Sequence, residues 1–151
     1  MIQSLVAIRD LYLRDLDRLE KEIDSYKNEE SLWVLDGEIS NTAGNLCLHL
    51  CGNLQHFFGH MMAGSKYARQ RDDEFGLKDV PRNELKGLIE KSREAVVLGL
   101  EKMSEEKLEE DFPNEVFGYP MTYRYFITSL YGHLNYHLGQ INYHRRVLAT
   151  G

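Results

Sequence analysis

Proline occurs three times and cysteine twice in 151 residues, and no apolar run approaches the ~18 residues that a membrane span requires. A disulfide framework is excluded by so few cysteines: Cys47 and Cys51 lie four apart, within a helical pattern. Basic excess is also absent. The net charge is -6, and Arg69 with Arg71, or Arg145 with Arg146, form only short local clusters. Nucleic acid and anionic membrane surfaces are therefore not expected as partners. The opening residues, Met1 to Asp10, carry neither a basic n-region nor a continuous apolar h-region, so no signal peptide is expected. A reduced, cytoplasmic setting is the expectation.

What is present is helical periodicity. Leu5, Ile8, Tyr12, Leu16, Leu19 and Ile23 recur at three- and four-residue spacing, with charges between them, which predicts an amphipathic helix over roughly Ile2 to Lys27. Ser40 to Thr42 can cap a second helix reaching about Tyr67. Pro81 suits the first turn of a third, ending near Met103. Ser104 opens one extra turn, and Thr122 caps a fourth helix from Tyr123 to Leu148. The stretch from Arg69 to Asp79 reads as a polar loop, and Asp111 to Pro120 as irregular or briefly extended. The fold class expected is all-α, a single antiparallel four-helix bundle over residues 1–151. In up-down-up-down order, helices two and four would run in the same direction.

All six histidines fall in helices two and four. His49, Asn53, His56 and His60 stand at offsets 0, 4, 7 and 11, as do His133, His137, Gln140 and His144. Those offsets stay within about 40° on a helix, so each helix carries a polar stripe about 17 Å long. No Lys, Arg, Asp or Glu occurs between Asn41 and Gly64, or between Phe126 and Tyr143, which predicts that both helices are buried. Buried polar groups need partners. His133 and His137, one turn apart on one face, can reach a single metal ion, and His49 supplies a third imidazole from the second helix. Three neutral nitrogens leave a coordination position open, as catalytic metals require. His56, His60 and His144 lie ~10 to 16 Å further along their helices, too far to share that ion. Asn53, His56 and Gln140 are candidates to line a pocket beside it.

Cys47 and Cys51 flank His49 at minus two and plus two, about 160° round the helix, and are expected to pack rather than ligate. Tyr123, Tyr136 and Tyr143 are expected to be packing residues with a polar tip. Trp33 is expected to be buried in the ordinary way. No side chain stands out as a general base.

The segments Leu46-Cys-Leu-His49-Leu-Cys-Gly-Asn-Leu-Gln-His and Gly132-His133-Leu-Asn-Tyr-His137-Leu-Gly-Gln resemble the DinB/YfiT-like superfamily of four-helix-bundle, metal-dependent proteins. The similarity extends over essentially the whole chain and is closest to a subfamily of unassigned function. It implies a metal triad at His49, His133 and His137, a Zn or Ni ion, frequent homodimerisation and a small-molecule substrate. In characterised relatives it implies transfer reactions that use a low-molecular-weight thiol. A metal-dependent hydrolase needs the same three ligands and stays open at this point. So does a non-catalytic metal- or ligand-binding bundle with a stress-associated role. Fold alone does not carry function across such a superfamily.

Overall fold

The computed structural model describes residues 1–149. Four long helices dominate: α1 (Val6–Ser25), α2 (Ala43–Leu54), α4 (Arg82–Glu101) and α6 (Tyr123–Leu148), with the short helices α3 (Arg71–Gly76) and α5 (Glu105–Leu108) between them. Helix α2 runs on directly into a π-helix, Gln55–Met62. Short 3-10 segments, Gln3–Leu5 and Glu29–Trp33, precede α1 and follow it. Among the described residues no strand forms, and the one extended feature is an isolated bridge between Asp111 and Thr122. No described helix is long and apolar enough to cross a membrane.

The caps read from sequence do their work. Thr42 and Thr122 accept hydrogen bonds from the backbone N–H of Asn45 and Tyr125, three residues on, and Ser104 caps α5 in the same way. The apolar stripe of α1 (Tyr12, Leu16, Leu19, Ile23) packs in one core with Leu50, Leu54 and Phe58, with Leu85, Ile89 and Leu100 of α4, and with Phe126, Leu134 and Ile141 of α6. Helix α1 contacts α4 and α6, and α2 contacts the same two, so α1 and α2 stand on one diagonal of the bundle.

Helix directions differ from the up-down-up-down expectation. Leu46 is level with Gln140 and His144 around one cavity, His49 meets His133 and His137, and Phe57 meets Phe126, so α2 and α6 run antiparallel. Tyr12 donates to the carbonyl of Ile127 and Tyr26 to that of Ile141, an equal advance on both helices, so α1 and α6 run parallel. Arg93 pairs with Asp17 and Lys86 with Asp24, which makes α1 and α4 antiparallel. Helices α2 and α4 are parallel, Cys51 lying near Ser92 and Phe58 against Gly99. The physical reason is the chain between α2 and α4. Residues 63–81 are long enough to return along the bundle, which short loops could not do.

Two further expectations change. The second helix gives up α-helical bonding after Leu54 and ends at Met62, not Tyr67. Its π segment packs on α4, where Gly99 lets the Phe58 carbonyl approach so closely that a Cβ would lie 2.7 Å from it. Every residue of α2 is buried, as expected, but α6 is not: Tyr136 and Tyr143 are 66% and 69% exposed. Absence of charge along α6 signalled an uncharged surface rather than an interior. Tyr123 is buried, and Trp33 lies half-buried over Gly44.

Candidate metal centre

Helices α2 and α6 bring His49, His133 and His137 together, with one ligand-capable atom of each within 4.8 Å of the others. The rings stand nearly perpendicular to one another, with centroids 4.6 to 5.2 Å apart. His49 Nε2 and His133 Nε2 are 3.1 Å apart. Two nitrogens on a tetrahedral ion, each bonded at about 2.05 Å, would be separated by about 3.3 Å. The spacing of this pair fits a shared ion, and the third imidazole lies within reach of it.

The remaining ring nitrogens show which atoms face the centre. His49 Nδ1 lies 3.0 Å from Glu74 Oε1 and donates to that carboxylate, which leaves Nε2 as the nitrogen that faces the centre. His137 Nδ1 lies 2.7 Å from Gln140 Oε1, with the same consequence. His133 turns Nε2 to the centre, while its Nδ1 is buried without a partner. Burial, followed by the neighbouring His137 and His49, pushes the pKa of His133 down to about 4. Burial also lowers that of His137, against the hydrogen bond it donates to Gln140. Both rings are therefore neutral at pH 7, as metal ligation requires.

Glu74 was not legible as a site residue. It sits on α3, inside the stretch read as a polar loop, and it is buried. Asn45, on the first turn of α2, donates to the carbonyls of Glu74 and Leu77 and so ties the returning chain against the helix. Arg69 grips the carboxylate with Nε at 2.8 Å from Oε2 and Nη2 at 3.0 Å from Oε1. Burial would raise the pKa of Glu74, but the hydrogen bonds from His49 and Arg69 outweigh it and hold the group below its ordinary value. Gly52, one turn beyond His49, makes the room: a Cβ there would stand 2.0 Å from Glu74 Oε2. Phe75 covers the His49 ring at 4.9 Å. A glycine inside an otherwise buried helix was the one available signal that another side chain approaches closely.

The other sequence candidates divide. Gln140 both touches His137 and lines a cavity with Leu46, Tyr143 and His144. Asn53 is buried with its Oδ1 unpartnered, and His56 stacks on His60 with its Nδ1 unpartnered. His60 donates to the carbonyl of Ser65, and His144 is satisfied by Tyr26 and the carbonyl of Val34. Cys47 and Cys51 are buried free thiols and are not part of the cluster.

Fold and site together define an all-helical bundle with a three-imidazole cluster that could hold a metal ion. The chain belongs to the family described as Protein of unknown function (DUF1572), whose model matches residues 3–151. No curated protein and no solved structure matches the chain.

Proposed function

We propose that this chain is a metal-dependent transferase of the DinB/YfiT-like type, using a low-molecular-weight thiol, with Zn or Ni held by His49, His133 and His137. The observation that carries this reading is the convergence of three inward-facing imidazoles, two of them oriented through the opposite nitrogen. A divalent ion bound there lowers the pKa of a thiol or water that joins it. Glu74 is committed to His49 and Arg69, and Gln140 cannot act as a base, so neither is available to take a proton from water. Base-assisted hydrolysis is thereby disfavoured, and of the two nucleophiles an ion can activate directly, a thiolate is the more nucleophilic toward an electrophilic carbon, so transfer is the reading preferred. In the transfer the thiol gives its proton to solvent, its sulfur bonds the electrophilic carbon, and the leaving group departs with the electron pair. The reaction takes place in the cytoplasm, and the protein works there as a homodimer.

The test is conjugation of glutathione, bacillithiol or mycothiol to a chlorodinitrobenzene electrophile by Zn- or Ni-loaded protein. Turnover with at least one thiol, abolished by chelator and by His49→Ala, is the expected result. Turnover with none of them, or turnover indifferent to chelator, refutes the transferase.

A further inference from the structure

One helical turn from the histidine cluster, on both helices, lies a cavity of about 450 Å³. Leu46 precedes His49 by three residues on α2, and Gln140 follows His137 by three on α6. Because the two helices run antiparallel, both steps lead toward the same end of the bundle, about 4.5 Å away. Ile39, from the connection before α2, and Tyr143 complete an apolar wall, and Glu38 also lines it. Its size is that of a small-molecule site. His144 contributes no chemistry, both its nitrogens being bonded elsewhere. Gln140 belongs to both places: its Oε1 accepts from His137, which leaves its amide N–H groups to donate beside the cavity.

The charges specify the ligand. Imidazole ligands bring no negative charge to a divalent ion, and the Glu74 carboxylate is already paired with Arg69. The head group favoured at the cluster is therefore an anion. No lysine or arginine lines the cavity, while Glu38 does, so a second anionic end is disfavoured there. We propose that this cavity receives the uncharged, apolar body of a ligand whose anionic head group binds at the His49–His133–His137 cluster. The ligand class is thus amphiphilic, with an alkyl or aryl portion beginning about one helical turn from its metal-binding atom. This rests on the metal reading given above.

The experiment uses Zn-loaded full-length protein and a series of straight-chain hydroxamic acids, from acetohydroxamate to octanohydroxamate, titrated by calorimetry, with zinc content measured for every variant. Affinity is expected to rise about fourfold per methylene once the chain exceeds the one-turn span, and to level off when the cavity is full. In Ile39→Asp and Tyr143→Ser, both exposed positions, the gain of octanohydroxamate over acetohydroxamate should fall to within about threefold. Acetohydroxamate binding and zinc content should be unchanged. A protein that holds zinc and binds acetohydroxamate but shows no chain-length dependence overturns the cavity and leaves the metal centre standing. So does a dependence that survives both substitutions. A protein that takes up no zinc overturns both.

Discussion

Replacing Gly52 by alanine should weaken metal binding without touching a ligand. The added Cβ would lie 2.0 Å from Glu74 Oε2 and 2.6 Å from its carboxyl carbon, with Cγ at 3.2 Å. Ordinary contact, at 3.4 Å or beyond, requires the carboxylate to retreat by about 1.4 Å. Its hydrogen bonds stand at 3.0 Å to His49 and at 2.8 and 3.0 Å to Arg69, so such a retreat breaks them. An imidazole ligand that loses its orienting carboxylate typically costs 10- to 100-fold in metal affinity, about 1.4 to 2.7 kcal/mol. Alanine recovers at most about 1 kcal/mol of helix propensity over glycine, less than the broken bonds of a buried carboxylate cost, so the metal-free fold should lose stability as well. Competition against a chromophoric chelator reads the affinity, and thermal unfolding of the metal-free protein reads the fold. In a Glu74→Ala background the same glycine substitution should add no further loss, because the clash is gone. A folded Gly52→Ala protein that binds metal as tightly as wild type would refute the reasoning.

Three further outcomes follow from other parts of the structure. Glu74→Gln, which keeps the shape but weakens the bonds to His49 and Arg69, should reduce zinc affinity by about tenfold in the same competition assay. Gly99→Ala, which drives a Cβ to 2.7 Å from the Phe58 carbonyl, should destabilise the protein by about 1 to 3 kcal/mol in urea unfolding, with metal affinity unchanged. Metal-free protein should lose stability as pH falls from about 6.5 to 4. In that window the unfolded chain protonates His133 while the fold, with its pKa near 4, does not. The contribution is at most about 3 kcal/mol, and His133→Leu should flatten that part of the pH–stability curve.

Periodicity and capping made the long helices legible: α6 begins and ends where the spacing of its apolar residues and Thr122 place it. The cluster was legible for the same reason. Histidines at helical offsets share a face whichever way the helices run, so His49, His133 and His137 converge although α2 and α6 are antiparallel rather than parallel. Direction itself was not legible, because it depends on the path of residues 63–81, whose polar composition looks like any loop. Glu74 and Arg69 were hidden with it. Nothing local separates Glu74 from Asp72 and Asp73; contacts distant in sequence select it, the tie from Asn45 and the room left at Gly52 among them. The tyrosines of α6 misled for a different reason, since an uncharged helix face can be solvent-exposed.

Metal content bears most directly on the claim that these three histidines form a metal centre. Protein purified without a histidine tag, and a His133→Ala variant prepared alongside it, should be analysed by mass spectrometry for zinc and nickel. The structure predicts about one equivalent of metal per chain in the wild type, lost in the variant while the helical fold persists. No metal in either protein, or the same metal content in both, would contradict it.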